Sequence, residues 1–139
     1  MQTTKTRSIM IIDDDEIQIF LTKKSIQSLN IPLKIESFSN AAMALRYFSG
    51  FKDEQTYRES FVPEIILLDI NMPAMDGFQF LDEFYKLTIP NIKPLKICFV
   101  SASCNELEIE RAKMYGENCS FTSKPINQIF LQKYLNGYI

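Results

Sequence analysis

The sequence predicts an α/β fold, in which a parallel sheet of five strands carries helices on both faces. Two observations predict it: short apolar runs of strand length recur along the chain, and amphipathic segments of helical length separate them. Strands that are apolar throughout are typical of sheets covered on both faces. Right-handed crossovers between parallel strands place the intervening helices on those two faces.

The five strands are predicted from three apolar runs and two weaker segments. Residues 9–12, 65–68 and 97–100 read IMII, IILL and ICFV, and their uniform apolarity indicates buried strands. Residues 33–38 (LKIESF) alternate between apolar and polar, as a strand with one covered face does. Residues 119–122 (CSFT) are the second of the weaker segments and complete the alternation of strand and helix.

The five helices are predicted from amphipathic segments that follow each strand. Ser39 or Asn40 is a suitable N-cap for the second helix, because both side chains accept a hydrogen bond from the first turn. Gly50 and Gly116 stand where helices commonly end. The predicted helices cover residues 16–29, 40–49, 77–87, 105–115 and 127–137.

Two segments without periodicity, residues 50–63 and 88–94, are interpreted as surface loops, the first of them unusually long. No internal repeat, low-complexity tract or second core is visible. A chain of 139 residues with 46% hydrophobic content can fill one core without disulfides or a structural metal. We therefore expect residues 1–139 to form a single domain with no output domain.

Composition excludes several classes of function. The net charge is −2 and the basic residues are scattered, so neither nucleic acid nor a membrane surface is an expected partner. Histidine is missing from the sequence, which excludes Ser-His-Asp and Cys-His catalysis and His-ligated zinc. The four glycines form no phosphate-binding loop motif.

Cysteine usage and the N-terminal residues predict a compartment. The three cysteines, Cys98, Cys104 and Cys119, have no CxxC spacing and indicate neither a disulfide framework nor a zinc site. They are interpreted as buried or half-buried residues without chemistry. No apolar run approaches the ~20 residues of a membrane span, and residues 1–8 are polar. We expect a soluble protein of the reducing cytoplasm.

Polar residues follow the predicted strands directly. Asp13 and Asp14 follow the first strand, Asp69 the third, Ser101 the fourth and Lys124 the fifth. The carboxyl ends of parallel strands share one edge of the sheet, where ligands bind in open α/β folds. Carboxylates from two loops form an all-oxygen site that suits Mg²⁺. A carboxylate nucleophile flanked by a lysine ammonium and a hydroxyl donor is suited to phosphoryl transfer.

The chain contains the segments IIDDDE, LLDINMPAMDG, FVSAS and SKP, in this order and each at the end of a predicted strand. Together these segments resemble the receiver domain of response regulators in two-component signal transduction. The resemblance spans nearly the whole chain and implies a flavodoxin-like fold with strand order 2-1-3-4-5. It implies a phosphoprotein rather than an enzyme, phosphorylated on Asp69 by a sensor histidine kinase or a histidine phosphotransfer protein. It also implies a stand-alone receiver, monomeric or weakly dimeric when phosphorylated, acting on a separate protein target.

The resemblance assigns metal ligands by motif position. Asp14 would bind Mg²⁺ directly, and Asp13 would act largely through water. Asp69 would be both phosphoacceptor and ligand, and Asn71 would offer its backbone carbonyl to the metal. Asn71 also occupies one of the two positions that tune phosphate lifetime in the family.

The resemblance also assigns the groups that would follow the phosphoryl group. Ser101 and Lys124 would contact its oxygens, and a cis peptide bond is expected before Pro125. Phe121 occupies the place of the family's aromatic switch residue, without a phenolic hydroxyl. Ser103 is the second position that tunes lifetime. The surface expected to change on phosphorylation is built from residues 105–115, 119–122 and 127–137.

Other interpretations of the same residues remain open. Asp15 and Glu16 are most simply a solvated helix start, because acidic residues favour the positive end of a helix dipole. Taken alone, Ser101 is compatible with a helix cap. Asp13-x-Asp15 after an apolar strand is similar to the nucleophile motif of haloacid-dehalogenase-like phosphohydrolases, although the later acidic pair of that family does not follow SKP. A vestigial receiver that acts as a binding module is a third possibility.

Overall fold

The computed structural model of the chain describes residues 6–51, 53, 60–89 and 95–137. The predicted loops 50–63 and 88–94 lie partly outside the described residues. In the part of the chain that is described, no helix is long and apolar enough to cross a bilayer.

The strands form one parallel sheet, and its order is the predicted one, 2-1-3-4-5. Four of the strands are longer than their apolar runs. Backbone pairing extends to polar residues, as in the pairs Ser8 with Lys34 and Ser101 with Ser123, because the ladder is formed by main-chain groups. The strands are β1 (Arg7–Ile12), β2 (Leu33–Phe38), β3 (Ile65–Asp69), β4 (Lys96–Ser101) and β5 (Cys119–Ser123).

The helices alternate with the strands as predicted, but each is shorter than its amphipathic segment. Asn40, Asn105 and Asn127 lie one residue before their helices, where the side chain of each accepts a backbone hydrogen bond at 2.7–2.9 Å. These asparagines are N-caps and not the first helical residues. The helices are α1 (Glu16–Gln27), α2 (Ala41–Ser49), α3 (Gly77–Lys86), α4 (Glu106–Lys113) and α5 (Gln128–Leu135).

The core has two layers, one on each face of the sheet. Successive residues of a strand point to opposite faces, so Met10 and Ile12 of β1 belong to one layer while Ile9 and Ile11 belong to the other. The first layer packs against α2, α3 and α4, and the second packs against α1 and α5. Because both faces are covered, β1, β3 and β4 must be apolar throughout, and polar residues are confined to the ends of these strands.

Candidate functional site

Three aspartates converge at the carboxyl edge of the sheet. Asp13 and Asp14 follow β1, and Asp69 is the last residue of the neighbouring strand β3. One carboxylate oxygen from each lies within 4.8 Å of the others. Asp13 and Asp69 are buried, with 5% and 3% of their surface exposed, whereas Asp14 is exposed. The donor set contains only carboxylate oxygens and is open to solvent on one side, which fits a hard divalent cation such as Mg²⁺.

The fourth acidic neighbour, Asp15, has a different role. Its side chain accepts hydrogen bonds from the backbone amides of Ile17 at 2.9 Å and Gln18 at 3.3 Å, so Asp15 is the N-cap of α1. Its own amide donates to Asp13 Oδ1 at 2.9 Å. The interpretation of Asp15 as a helix start is confirmed. The bond from the Asp15 amide also helps to hold the Asp13 carboxylate in place.

Lys124 places a cation against the two buried carboxylates. Its Nζ lies 2.9 Å from Asp13 Oδ2 and 3.2 Å from Asp69 Oδ1, and 14% of its side chain is exposed. The Lys124 amide donates to the carbonyl of Ser101 at 2.9 Å, which fixes the end of β5 against β4. The peptide bond between Lys124 and Pro125, for which the resemblance implies the cis form, is cis.

The electrostatics of this cluster follow from its burial. Apolar side chains, among them Leu67 and Ile126, line its inner side. Burial and the neighbouring Asp13 charge raise the pKa of Asp69 to about 7, against the opposing effect of Lys124. Burial alone would lower the pKa of Lys124, but the two carboxylates outweigh it and raise that pKa above its ordinary value. The lysine therefore stays charged, and the site still carries excess negative charge.

The segment after Asp69 is held by backbone contacts to the first turn of α3. The Gly77 amide donates to the Ile70 carbonyl at 2.9 Å. A Cβ atom at Gly77 would lie 2.5 Å from the Asp69 carbonyl oxygen, so only glycine permits this approach. The Asn71 amide donates to Asp69 Oδ1 at 3.3 Å. Asp76 and Gln79 form a reciprocal capping box that fixes where α3 begins.

Ser101 is fully buried at the end of β4, and its hydroxyl is engaged by a residue that the sequence analysis does not single out. Ser101 Oγ donates to Glu108 Oε1 at 2.7 Å. The interpretation of Ser101 as a helix cap is wrong, because Asn105 caps α4 instead. Glu108 follows Asn105 by three residues, the spacing of a capping box. From the sequence alone, this spacing indicates a local role for Glu108 at the helix start and gives no sign of its contact with Ser101.

The Glu108 carboxylate collects two more donors. Ser103 Oγ donates to Glu108 Oε1 at 2.8 Å, and Asn71 Nδ2 donates to Glu108 Oε2 at 3.4 Å. Partial burial would raise the pKa of Glu108, but the hydrogen bonds from Ser101, Ser103, Asn71 and the Asn105 backbone outweigh it and lower the pKa.

Phe121 lies apart from the carboxylates, on the outer strand β5. It is paired with Phe99 of β4, half-buried and packed against the first core layer. Phe121 is therefore positioned between the core and the surface formed by α4, β5 and α5.

Comparisons with known proteins agree with this architecture. A family model described as the response regulator receiver domain matches residues 9–136. The chain is 22% identical over 130 residues to response regulator Rcp1 of Synechocystis, covering 93% of this chain and 85% of Rcp1. It is 25% identical over 135 residues to hybrid signal transduction histidine kinase L of Dictyostelium discoideum, covering 94% of this chain but only 7% of the kinase.

One solved structure shares the fold of this chain over almost the whole length of both proteins. The two-component response regulator from Cytophaga hutchinsonii superposes with a TM-score of 0.79 at 25% identity, covering 96% of each chain. The flavodoxin-like fold and the predicted family are thereby confirmed. From the family match and the strand order together, we conclude that this chain belongs to the response regulator receiver domain family.

Proposed function

We propose that this receiver domain accepts a phosphoryl group on Asp69 from a phosphohistidine, in a reaction that depends on Mg²⁺. The observation that carries the proposal is the buried Asp69 carboxylate, which lies 3.2 Å from the Lys124 ammonium and within 4.8 Å of the Asp13 and Asp14 oxygens. The sequence contains no histidine, so the phosphohistidine must come from outside these 139 residues. A sensor histidine kinase or a histidine phosphotransfer protein is the proposed donor.

The transfer would require one bond to form and one to break. An Asp69 oxygen attacks phosphorus, the P–N bond of the phosphohistidine breaks, and the electron pair stays on the imidazole nitrogen, which takes up a proton. The product is an acyl phosphate on Asp69. The Lys124 ammonium would bind one phosphoryl oxygen as a point charge, and the Ser101 hydroxyl would donate a hydrogen bond to a second phosphoryl oxygen.

Asp13, Asp14 and Asp69, with the Asn71 carbonyl, are the groups that would hold Mg²⁺. When bound, the ion would neutralise charge on the transferring oxygens and keep Asp69 ionised. This role fits the charge balance of the site, in which Lys124 is the one cation that the structure describes against Asp13 and Asp69.

The proposed output is a change in a protein-interaction surface. Phosphorylation adds about −1.5 to −2 charges, and new bonds to Ser101 and Lys124 would bias an equilibrium between two surface shapes. The elements α4 and α5 and the residue after α4 carry exposed apolar side chains on which a partner could dock. These side chains are Leu107, Met114 and Ile129. The proposed setting is the cytoplasm, with a separate protein as the target.

The test is phosphorylation by acetyl phosphate and Mg²⁺, followed by intact mass spectrometry. We expect the wild-type protein to gain one phosphoryl group, with acetate as the leaving group, and Asp69→Asn to gain none. Asp15→Asn is the matched control, since asparagine also caps helices well and Asp15 caps α1. Equal labelling of Asp69→Asn, or an unchanged wild-type mass, would refute the proposal.

Two competing functions, a phosphohydrolase and a vestigial receiver, are tested by two further measurements. A haloacid-dehalogenase-like phosphohydrolase would need Asp13 as nucleophile and Asp15 as acid/base, whereas the Asp15 side chain is engaged by backbone amides of α1. Multiple-turnover hydrolysis of small phosphate esters that is lost in Asp15→Asn would favour the hydrolase. A folded protein that binds neither Mg²⁺ nor beryllofluoride would favour a vestigial receiver.

A further inference from the structure

Glu108 joins the two loops that flank the proposed phosphorylation site. It belongs to the first turn of α4, and its carboxylate accepts hydrogen bonds from Ser101 and Ser103 of the loop after β4 and from Asn71 of the loop after β3. The bonds from the two serines, at 2.7 and 2.8 Å, are the short ones and end on the same oxygen, Oε1. None of the motifs that identify the family contains Glu108.

The Ser101 hydroxyl can donate one hydrogen bond, and Glu108 accepts it. A serine hydroxyl is one donor with two acceptor sites. The acceptor side of Ser101 Oγ is used by the amides of Ser103 at 3.2 Å and Cys104 at 3.3 Å. Two further oxygens lie within reach of the Ser101 hydroxyl, Ser103 Oγ at 3.0 Å and Glu108 Oε1 at 2.7 Å. The Glu108 oxygen is nearer and belongs to a carboxylate, so the Ser101 hydrogen bond is directed to Glu108. Phosphoryl oxygens on Asp69 would also be acceptors, so Ser101 cannot donate to a phosphoryl group and to Glu108 at the same time.

Charge adds to this competition. The Glu108 carboxylate is connected to Asp69 through a single residue, because the amide of Asn71 donates to Asp69 Oδ1 and its side chain donates to Glu108 Oε2. A phosphoryl group on Asp69 would bring about −1.5 to −2 charges to the same neighbourhood. Like charges in a partly buried site repel more strongly than in water.

We propose that Glu108 is a positioning residue that holds the Ser101 hydroxyl in the unphosphorylated protein and must release it when the phosphoryl group binds. The proposal rests on the proposed function of Asp69. Asn105 keeps its bond to the Glu108 amide at 2.9 Å, so α4 remains capped while its side-chain tether to Ser101 is broken. Glu108 thereby makes the state of Asp69 and the position of the α4 N-terminus mutually dependent.

The test measures the affinity for beryllofluoride, a phosphoryl mimic, in the presence of Mg²⁺. We expect Glu108→Gln to bind it about fivefold more tightly than the wild type, because a charge-assisted hydrogen bond is replaced by a weaker neutral one. Glu106→Gln is the matched control: it removes the same charge from an exposed position in the same helical turn, and its affinity should equal that of the wild type.

A double-mutant cycle distinguishes competition for Ser101 from a structural effect. In a Ser101→Ala background, Glu108→Gln should no longer improve the affinity, because no hydroxyl is left to release. The Mg²⁺ affinity should be nearly equal for Glu108→Gln and Glu106→Gln, and both variants should remain folded, since both keep the Asn105 cap of α4.

The outcomes are separable from those of the proposed function. Tighter binding by Glu108→Gln that depends on Ser101 supports the proposal, even if wild-type binding is too weak to detect. Equal affinities of Glu108→Gln and Glu106→Gln, or weaker binding by Glu108→Gln, overturn it while leaving phosphorylation of Asp69 intact. Absence of binding in the wild type and in every variant overturns both.

Discussion

At the scale of single residues, the site is defined by a mismatch of charge. Asp13 and Asp69 are both buried, and Lys124 contacts both of them. A buried charge without full compensation costs stability, and proteins keep such charges where function needs them. The raised pKa of Asp69 has the same origin, namely burial and the Asp13 charge.

Replacement of Asp69 by asparagine should therefore stabilise the metal-free protein. Asp69→Asn keeps the shape of the side chain and leaves Lys124 to neutralise Asp13 alone. In the presence of a chelator, we expect the free energy of unfolding to rise by about 1 to 2 kcal/mol, measured by urea denaturation. Asp15→Asn, at an exposed cap, should change it by less than about 0.5 kcal/mol. A decrease for Asp69→Asn would show that Asp69 contributes net stability.

The buried cysteine of β4 should be chemically inert. Burial raises the pKa of the Cys98 thiol to about 12, so the reactive thiolate is scarce in the folded protein. Near neutral pH, we expect iodoacetamide to modify Cys98 at least about tenfold more slowly than the half-buried Cys104. Peptide mass spectrometry measures both rates, and equal rates in urea provide the control. Equal rates in the folded protein would contradict the burial of Cys98.

The raised pKa of Cys98 determines how this residue makes the stability of the fold depend on pH. The pKa of Cys98 is higher in the folded chain than its ordinary value of 9.0. As the pH rises through this ordinary value, the unfolded chain loses the thiol proton first, which favours unfolding. The contribution of Cys98 to stability is therefore constant at neutral pH and decreases in alkaline solution.

At the scale of elements, the sheet edge is shaped by how α3 begins. Gly77 lies at the first position of α3, where its backbone contacts the segment that carries Asp69. The capping box of Asp76 and Gln79 fixes the helix start, and the absence of a side chain at Gly77 permits the close approach. The position of the Asp69 segment therefore depends on this one turn of helix.

Gly77→Ala should displace the Asp69 segment. The new Cβ atom would meet backbone atoms, at 2.5 Å from the Asp69 oxygen and 3.1 Å from the Ile70 Cα, and backbone cannot rotate out of the way. We expect a loss of about 1 to 3 kcal/mol in the free energy of unfolding and slower phosphorylation by acetyl phosphate. Gly50→Ala is the milder control, because φ is −75° at this helix end and the new Cβ atom would lie 3.3 Å from the Tyr47 carbonyl oxygen. Similar losses in both variants would contradict this explanation.

At the scale of the whole molecule, ion binding and folding are linked. The three aspartates lie at the carboxyl ends of β1 and β3, which are adjacent in the folded sheet but more than fifty residues apart in sequence. An unfolded chain cannot assemble this donor set. Any ion that binds here should therefore stabilise the fold as a unit.

Mg²⁺ should raise the unfolding midpoint of the wild-type protein in a concentration-dependent manner. At about 100 times the dissociation constant, linkage predicts about 2.7 kcal/mol of stabilisation. Asp14→Asn should lose most of this response, since Asp14 supplies one of the three carboxylates of the cluster. Asp15→Asn should retain it, because the Asp15 side chain caps α1. Thermal denaturation with and without chelator provides the measurement. An unchanged response in Asp14→Asn would exclude this cluster as the Mg²⁺ site.

The sequence by itself determined the number, type and alternation of the elements, and the edge at which Asp13, Asp14, Asp69, Ser101 and Lys124 meet. These features could be predicted because apolar periodicity is local and because the ends of parallel strands share one edge. Helix ends were predicted less well. Asn40 was expected as a possible N-cap and is one, but Asn105 and Asn127 were expected inside helices and cap them instead.

Only the tertiary structure decided which of these side chains are buried and which are already engaged. Asp13 and Asp14 are neighbours of the same type, yet packing buries one and exposes the other. The bond between Ser101 and Glu108 joins the end of a strand to a helical turn, and the spacing of Glu108 from Asn105 indicates only a local cap. Hydrogen bonds between loops depend on distances that the packed layers set, and no local pattern contains those distances.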